Sequence, residues 1–97
     1  MPTYITLVNY TEQGIRTVKN APARLNSVKK QLKDMGGELK AFYLTMGQFD
    51  IVTIVEAPDD ETAAAMSLTI GAGGNVRTCT LKAFAEPEFR KIIKSLP

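Results

Sequence analysis

Histidine is absent from this chain of 97 residues, and cysteine occurs once, at Cys79. Without histidine the chain lacks the most common general base near neutral pH, and neither a Ser-His-Asp triad nor a Cys-His pair can form. A base would have to be a lysine or a carboxylate with a shifted pKa, such as Asp50 or Glu56. A single cysteine excludes an internal disulfide and fits a reducing compartment.

Signals for membranes and nucleic acids are also missing. No apolar run approaches the length that spans a bilayer, and the N-terminus lacks the basic region and apolar core of a secretory signal. The net charge of +2 is too small to indicate nucleic-acid binding. The predicted third strand, 50–57, has neither the aromatic nor the basic residues of RNA-recognition domains. We expect a cytoplasmic protein with no membrane or nucleic-acid partner.

Metal and cofactor sites find little support. The carboxylates of Asp59, Asp60 and Glu61 fall at a predicted helix start, where they stabilise the positive end of the helix dipole. The glycine-rich run 71–74 follows a helix and precedes a strand, whereas phosphate-binding loops follow a strand and precede a helix. We interpret the glycines as a helix cap and predict no cofactor and no metal.

Residues 38–57 are typical of a β-hairpin, with strands 38–45 and 50–57 joined by a short connection. The second strand places Ile51 and Val55 on one face and Val52 and Ile54 on the other. An antiparallel strand with one wet face should alternate apolar and polar residues. Both faces must therefore be covered, the second by another copy of the chain or by the C-terminal helix folding back.

Strands and helices are also predicted along the rest of the chain. Strands are predicted at 3–10 and 75–84, and helices at 11–18, 22–35, 58–70 and 87–96. Right-handed crossovers place both main helices on one face of a four-stranded antiparallel sheet, in the order fourth, first, third, second. The sequence predicts a single α+β domain over 1–97, ferredoxin-like with βαββαβ topology and an added C-terminal helix.

Several short segments resemble the GYD domain family, named for a glycine, tyrosine and aspartate at the hairpin. They are residues 10–14, 40–45, 55–60, 74–78 and the sequence Gly47-Gln48-Phe49-Asp50, in which Phe49 stands where the family usually has tyrosine. The resemblance implies a dimeric α/β-barrel and a largely uncharacterised function. The hairpin is also similar to that of Lrp/AsnC-type effector-binding domains, which bind small effectors at subunit interfaces.

Five residues are candidates for a ligand site: Tyr43, Gly47, Phe49, Asp50 and Arg77. Gly47 and Asp50 each have a structural alternative, since Gly47 can supply a backbone conformation that the hairpin needs and Asp50 can bond turn amides. We place Asp50 and Arg77 at opposite ends of the sheet in one copy, so that they could meet only across a subunit contact.

Two functions remain open from the sequence. The first is a homo-oligomer that is non-catalytic or binds a small molecule at the subunit interface or in the barrel interior. The second is a cofactor-independent oxygenase or isomerase for a small aromatic or lactone-like substrate. In the second case the interior is expected to contain aromatic rings and hydroxyls, from Tyr4, Tyr10, Phe42, Tyr43, Thr6, Thr53, Thr78 and Thr80.

Overall fold

The computed structural model describes residues 1–97 and contains a four-stranded sheet with helices on one face. Its elements are β1 (Thr3–Tyr10), α1 (Glu12–Arg16), a 3-10 turn (Val18–Asn20), α2 (Ala21–Asp34), β2 (Glu38–Leu44), β3 (Ile51–Glu56), α3 (Asp60–Ala72), β4 (Val76–Ala83) and α4 (Glu86–Lys94). No helix is both long and apolar enough to cross a membrane.

The sheet has the order β2-β3-β1-β4, and every neighbouring pair is antiparallel. The predicted α+β ferredoxin-like fold and its strand order are therefore confirmed. Since β3 and β4 both run antiparallel to β1, they run parallel to each other. Both begin at the end of the sheet where β1 finishes.

Local sequence signals set the helix boundaries. The side chain of Thr11 caps α1 by accepting a hydrogen bond from the Gly14 amide at 3.0 Å. Asp59 caps α3 by accepting one from the Thr62 amide at 2.7 Å. Helix α2 ends before Gly36, whose φ of +91° lies in the left-handed region that glycine tolerates best. Each of these boundaries agrees with the sequence prediction to within a few residues.

The contiguous core lies between the sheet and the two long helices. Leu32 of α2 is 2% exposed and packs with Tyr4 of β1 and with Ala63 and Met66 of α3. Val28 and Met35 extend the α2 surface that contacts this cluster. The buried residues of each helix are three or four positions apart, as expected for one face of an amphipathic helix.

Side chains alternate across each strand, so the register divides them into two faces. The face under the helices, called the covered face, includes Tyr4, Thr6, Val8 and Tyr10 of β1 and Ile51, Thr53 and Val55 of β3. The opposite side, called the open face, includes Ile5 and Leu7 of β1 and Val52 and Ile54 of β3.

Helix α4 does not cover the open face. All of its residues are solvent-exposed, including the apolar side chains of Phe89, Ile92 and Ile93. The C-terminal helix therefore does not fold back over the sheet, and that alternative is wrong. Two apolar surfaces, the open face and one side of α4, remain without a partner within a single copy.

Candidate functional site

The open face is apolar in its middle and polar toward its ends. Cross-strand pairing arranges its residues in rows, and the two central rows are Cys79-Leu7-Val52-Tyr43 and Leu81-Ile5-Ile54-Ala41. Tyr43 is 59% exposed and Leu81 46% exposed. Eight adjacent side chains without a charge form a continuous patch of the kind that marks interaction surfaces.

Charged residues of opposite sign occupy two diagonal corners of the open face. Arg77 pairs with Asn9 at the end where β1 finishes, on the outer strand β4. Glu38 pairs with Glu56 at the other end of the sheet, on the opposite outer strand β2. Lys40 lies 3.6 Å from Glu38 and offsets part of that negative charge. The face therefore has one positive and one negative corner.

The predicted placement of Asp50 and Arg77 is wrong. Asp50 precedes β3 and Arg77 lies near the start of β4, and these parallel strands begin at the same end of the sheet. The predicted separation would require β3 and β4 to run in opposite directions, whereas both run antiparallel to β1. Asp50 nevertheless forms no ion pair with Arg77. Its carboxylate accepts a hydrogen bond from the Tyr10 amide at 2.9 Å.

The hairpin residues satisfy structural roles. Gly47 has a φ of +143° and nothing within 4 Å of the position where a Cβ would lie. The Thr45 hydroxyl donates to the Phe49 carbonyl at 2.6 Å. The Asp50 amide donates to the Val8 carbonyl at 2.9 Å, so Asp50 fastens the hairpin to the end of β1 through two bonds. Gly47 thus supplies the backbone conformation that was expected of it.

Removing the Asp50 carboxylate should loosen the hairpin. We expect Asp50→Ala to lower the free energy of unfolding by about 1.5–3 kcal/mol, because a charge-assisted bond to a backbone amide is lost. Asp50→Asn keeps an acceptor oxygen and should lose about 1 kcal/mol or less. Urea denaturation of the three proteins measures both values. If Asp50→Ala is as stable as the parent, the carboxylate does not hold this hairpin in place.

Two of the segments that resemble the family, 10–14 and 74–78, meet beside Asp50. The Thr11 amide donates to the Asn75 carbonyl at 3.0 Å, and the Thr11 hydroxyl donates to the Gly74 carbonyl at 2.6 Å. The Gln13 side chain donates to the Asn75 side chain at 3.0 Å. These bonds join the start of α1 to the loop after α3, so the glycine-rich run serves as a docking point for α1.

A cleft of about 370 Å³ lies between the covered face and helices α2 and α3. Its floor includes Tyr4, Tyr10 and Phe42, which the enzyme alternative placed in a barrel interior together with Tyr43. Of the four aromatic residues grouped in that prediction, Tyr43 alone lies on the open face. The grouping was wrong because β1 turns its tyrosines toward the helices, whereas neighbouring positions on β2 alternate between the two faces.

Tyr4 of the cleft also belongs to a polar cluster whose other members, Asp60 and Lys82, lie outside the cleft lining. The Tyr4 hydroxyl donates to the Asp60 carboxylate, which lies 3.0 Å from the Lys82 ammonium. The bond to Asp60, together with burial, raises the pKa of Tyr4 to about 12. The same bond, with that from Lys82, lowers the pKa of Asp60. This cluster ties β1, α3 and β4 together, and no local sequence pattern pairs its members.

The Tyr4 pKa predicts a specific dependence of stability on alkaline pH. Its folded pKa of about 12 exceeds the ordinary value of 10.0. The contribution is therefore fully present below pH 10 and is lost as the pH rises from there toward 12. We expect Tyr4→Phe to show a smaller loss of stability over that range than the parent protein. Urea unfolding at a series of pH values tests this, and identical profiles would contradict it.

Comparison with known proteins supplies a family and a fold. The family model described as GYD domain matches residues 4–93. Over 84 residues the chain is 38% identical to a Thermus thermophilus protein named "Glutamine synthetase and cystathionine beta-lyase binding protein". That match covers 86% of this chain and 88% of the relative.

One solved structure has the same architecture. The crystal structure of TTHA0845, also from Thermus thermophilus, superimposes with a TM-score of 0.57 and 22% sequence identity. The superposition covers 88% of this chain and 95% of that protein. At this level of identity the likeness concerns the fold alone.

Proposed function

The chain belongs to the GYD domain family, and from this premise we propose that it is a non-catalytic binding protein that acts as a homo-oligomer. The observation that carries the proposal is the open face, whose two central rows have no charged side chain. Burying such a surface removes apolar area from water, which is the main favourable term in association. Its occupant in our proposal is a second copy of the chain.

The area of the open face suits this occupant. Four strands about 4.8 Å apart and four rows of outward residues give a face of roughly 500 Å². A standard interface buries about 800 Å² on each partner, so the face supplies most but not all of that area. The exposed apolar side of α4, with Phe89, Ile92 and Ile93, offers the remainder. We therefore propose that α4 packs against the second copy.

The charged corners indicate how the two copies face each other. In a crossed pair of sheets related by a two-fold axis along the uncharged diagonal, Arg77 of each copy lies over Glu38 of the other. An arrangement that places Arg77 over Arg77 and Glu38 over Glu38 brings like charges together and is disfavoured. Charge complementarity thus favours the crossed arrangement, with one ion pair at each of two symmetric positions.

Native mass spectrometry tests this assembly through a charge reversal. We expect the parent protein to be at least dimeric and Arg77→Glu to raise the dissociation constant by about tenfold, because both corners become repulsive. Adding Glu38→Arg to that variant should restore the affinity. A monomeric parent would overturn the proposal of self-association. Weakening that the double variant does not repair would overturn the crossed arrangement.

The second element of the proposed function is an enzyme partner. The relative is named for binding glutamine synthetase and cystathionine beta-lyase, so these two enzymes from the same host are the first partners to test. Biolayer interferometry with this chain immobilised gives the result directly. Saturable binding to either enzyme supports the proposal, and no binding to both would remove the partner while leaving self-association unaffected.

A further inference from the structure

We propose that the cleft between the covered face and helices α2 and α3 binds a small, uncharged and mainly apolar molecule that carries one hydroxyl or carbonyl group. This site lies on the other side of the sheet from the open face. The inference therefore does not rest on self-association or on an enzyme partner, and it names the chemistry of a ligand that the family comparisons leave open.

The size and lining of the cleft support a ligand of this class. A volume of about 370 Å³ lies at the lower end of the range of about 300–1,000 Å³ typical of small-molecule sites. Apolar side chains from both layers form the walls, among them Leu25 and Val28 of α2, Ile70 of α3 and Ile51 of β3. Such walls favour a hydrocarbon or aromatic body.

A row of hydroxyls crosses the floor of the cleft. Thr53, Thr6 and Thr80 are directly paired across three adjacent strands, and all three line the cleft. The Thr80 hydroxyl bonds Ser67 at 3.0 Å, whereas those of Thr6 and Thr53 have no hydrogen-bond partner in the protein. No polar side-chain atom is both fully buried and unpaired, so the Thr53 hydroxyl opens on the cleft.

Valine has nearly the same shape as threonine and would suit a buried strand position better if packing alone decided. Thr53 is only 9% exposed, yet its hydroxyl gains no bond within the protein. Two adjacent hydroxyls that each donate and accept can hold one hydroxyl or carbonyl of a ligand. The hydroxyl row thus supplies the polar contact, and the surrounding walls supply the apolar one.

The charges around the cleft favour an uncharged ligand. Among the lining residues, Arg24 alone carries a charge at neutral pH. Its guanidinium already donates to the Thr17 carbonyl at 3.0 Å, the Thr17 hydroxyl at 2.9 Å and the Gly14 carbonyl at 3.2 Å. A ligand cation would find no carboxylate in the lining, and an anion would compete for a guanidinium that is bound to the backbone.

Paired probes test the proposal with the intact protein. Fluorescence titration with 2-naphthol, and with naphthalene as the matched probe without a hydroxyl, measures the two contributions separately. We expect Thr6→Val combined with Thr53→Val to raise the dissociation constant of 2-naphthol by about tenfold and that of naphthalene by less than about twofold. Thr3→Val, on the same strand but on the open face, is the control and should leave both values unchanged.

The following outcomes would overturn the proposal. They are the absence of saturable binding of both probes to the parent protein, equal 2-naphthol affinity in the parent and the double variant, and a loss of affinity in Thr3→Val. Leu25→Trp is a second variant that fills the cleft from α2 without altering the sheet, and it should weaken both probes. Thermal unfolding provides a readout that needs no ligand. Because the Thr53 hydroxyl makes no bond within the protein, Thr53→Val should not lower Tm.

Discussion

Replacing Ile54 with aspartate is expected to convert the homo-oligomer into a folded monomer. Ile54 lies in a central row of the open face, beside Ile5 of β1. In a single copy the new carboxylate reaches water, whereas in the proposed assembly it is buried in an apolar contact without a partner. That burial costs several kcal/mol per copy, so the dissociation constant should rise by a factor on the order of 1,000 or more.

The matched control is Leu68→Asp, because Leu68 is 75% exposed on α3, away from the open face. Sedimentation velocity over a range of concentrations gives the subunit number, and circular dichroism reports whether each variant is folded. We expect the Leu68 variant to sediment like the parent protein. An Ile54→Asp protein that keeps the parent's subunit number would show that the open face is not the contact.

Replacing Gly14 with alanine should have the largest effect on folding. A Cβ at Gly14 would lie 1.9 Å from the Asn75 carbonyl oxygen, which belongs to the backbone and has little room to move. The loop that holds α1 would have to shift, with loss of the bonds that Thr11 makes to Gly74 and Asn75. We expect the free energy of unfolding to fall by about 3 kcal/mol or more.

Gly71→Ala is the control for that substitution. Gly71 lies inside α3 and has nothing within 4 Å of a Cβ position. Alanine is a better helix former than glycine, so stability should rise by up to about 1 kcal/mol. Urea denaturation of both variants tests the pair. Equal effects at the two glycines would mean that close approach to Asn75 does not explain why glycine occupies position 14.

Much of the fold followed from local patterns in the sequence. The helical spacing of Leu25, Val28, Leu32 and Met35 identified the buried side of α2, and Gly36 marked its end. These two predictions were confirmed because period and capping depend on neighbours in the chain. The double-sided apolar pattern of β3 predicted that both faces of the sheet are covered, and the cover of the open face stays a prediction.

The site was harder to predict because it depends on register between distant strands. The row of Thr53, Thr6 and Thr80 exists only once β1 is paired with both β3 and β4. Similarly, no local pattern joins Tyr4 to Asp60, which are 56 residues apart. One signal was present in the sequence, since Thr53 is a polar residue between apolar neighbours in a strand that otherwise favours burial.

The thiol of Cys79 offers the most direct test of the claim that a second copy covers the open face. Cys79 is the one cysteine of the chain, lies in a central row of that face and is exposed in a single copy. We predict that a bulky thiol reagent modifies Cys79 at least tenfold more slowly in the parent protein than in Ile54→Asp, as expected for a residue buried at an interface. Equal rates in the two proteins at every protein concentration would contradict the account.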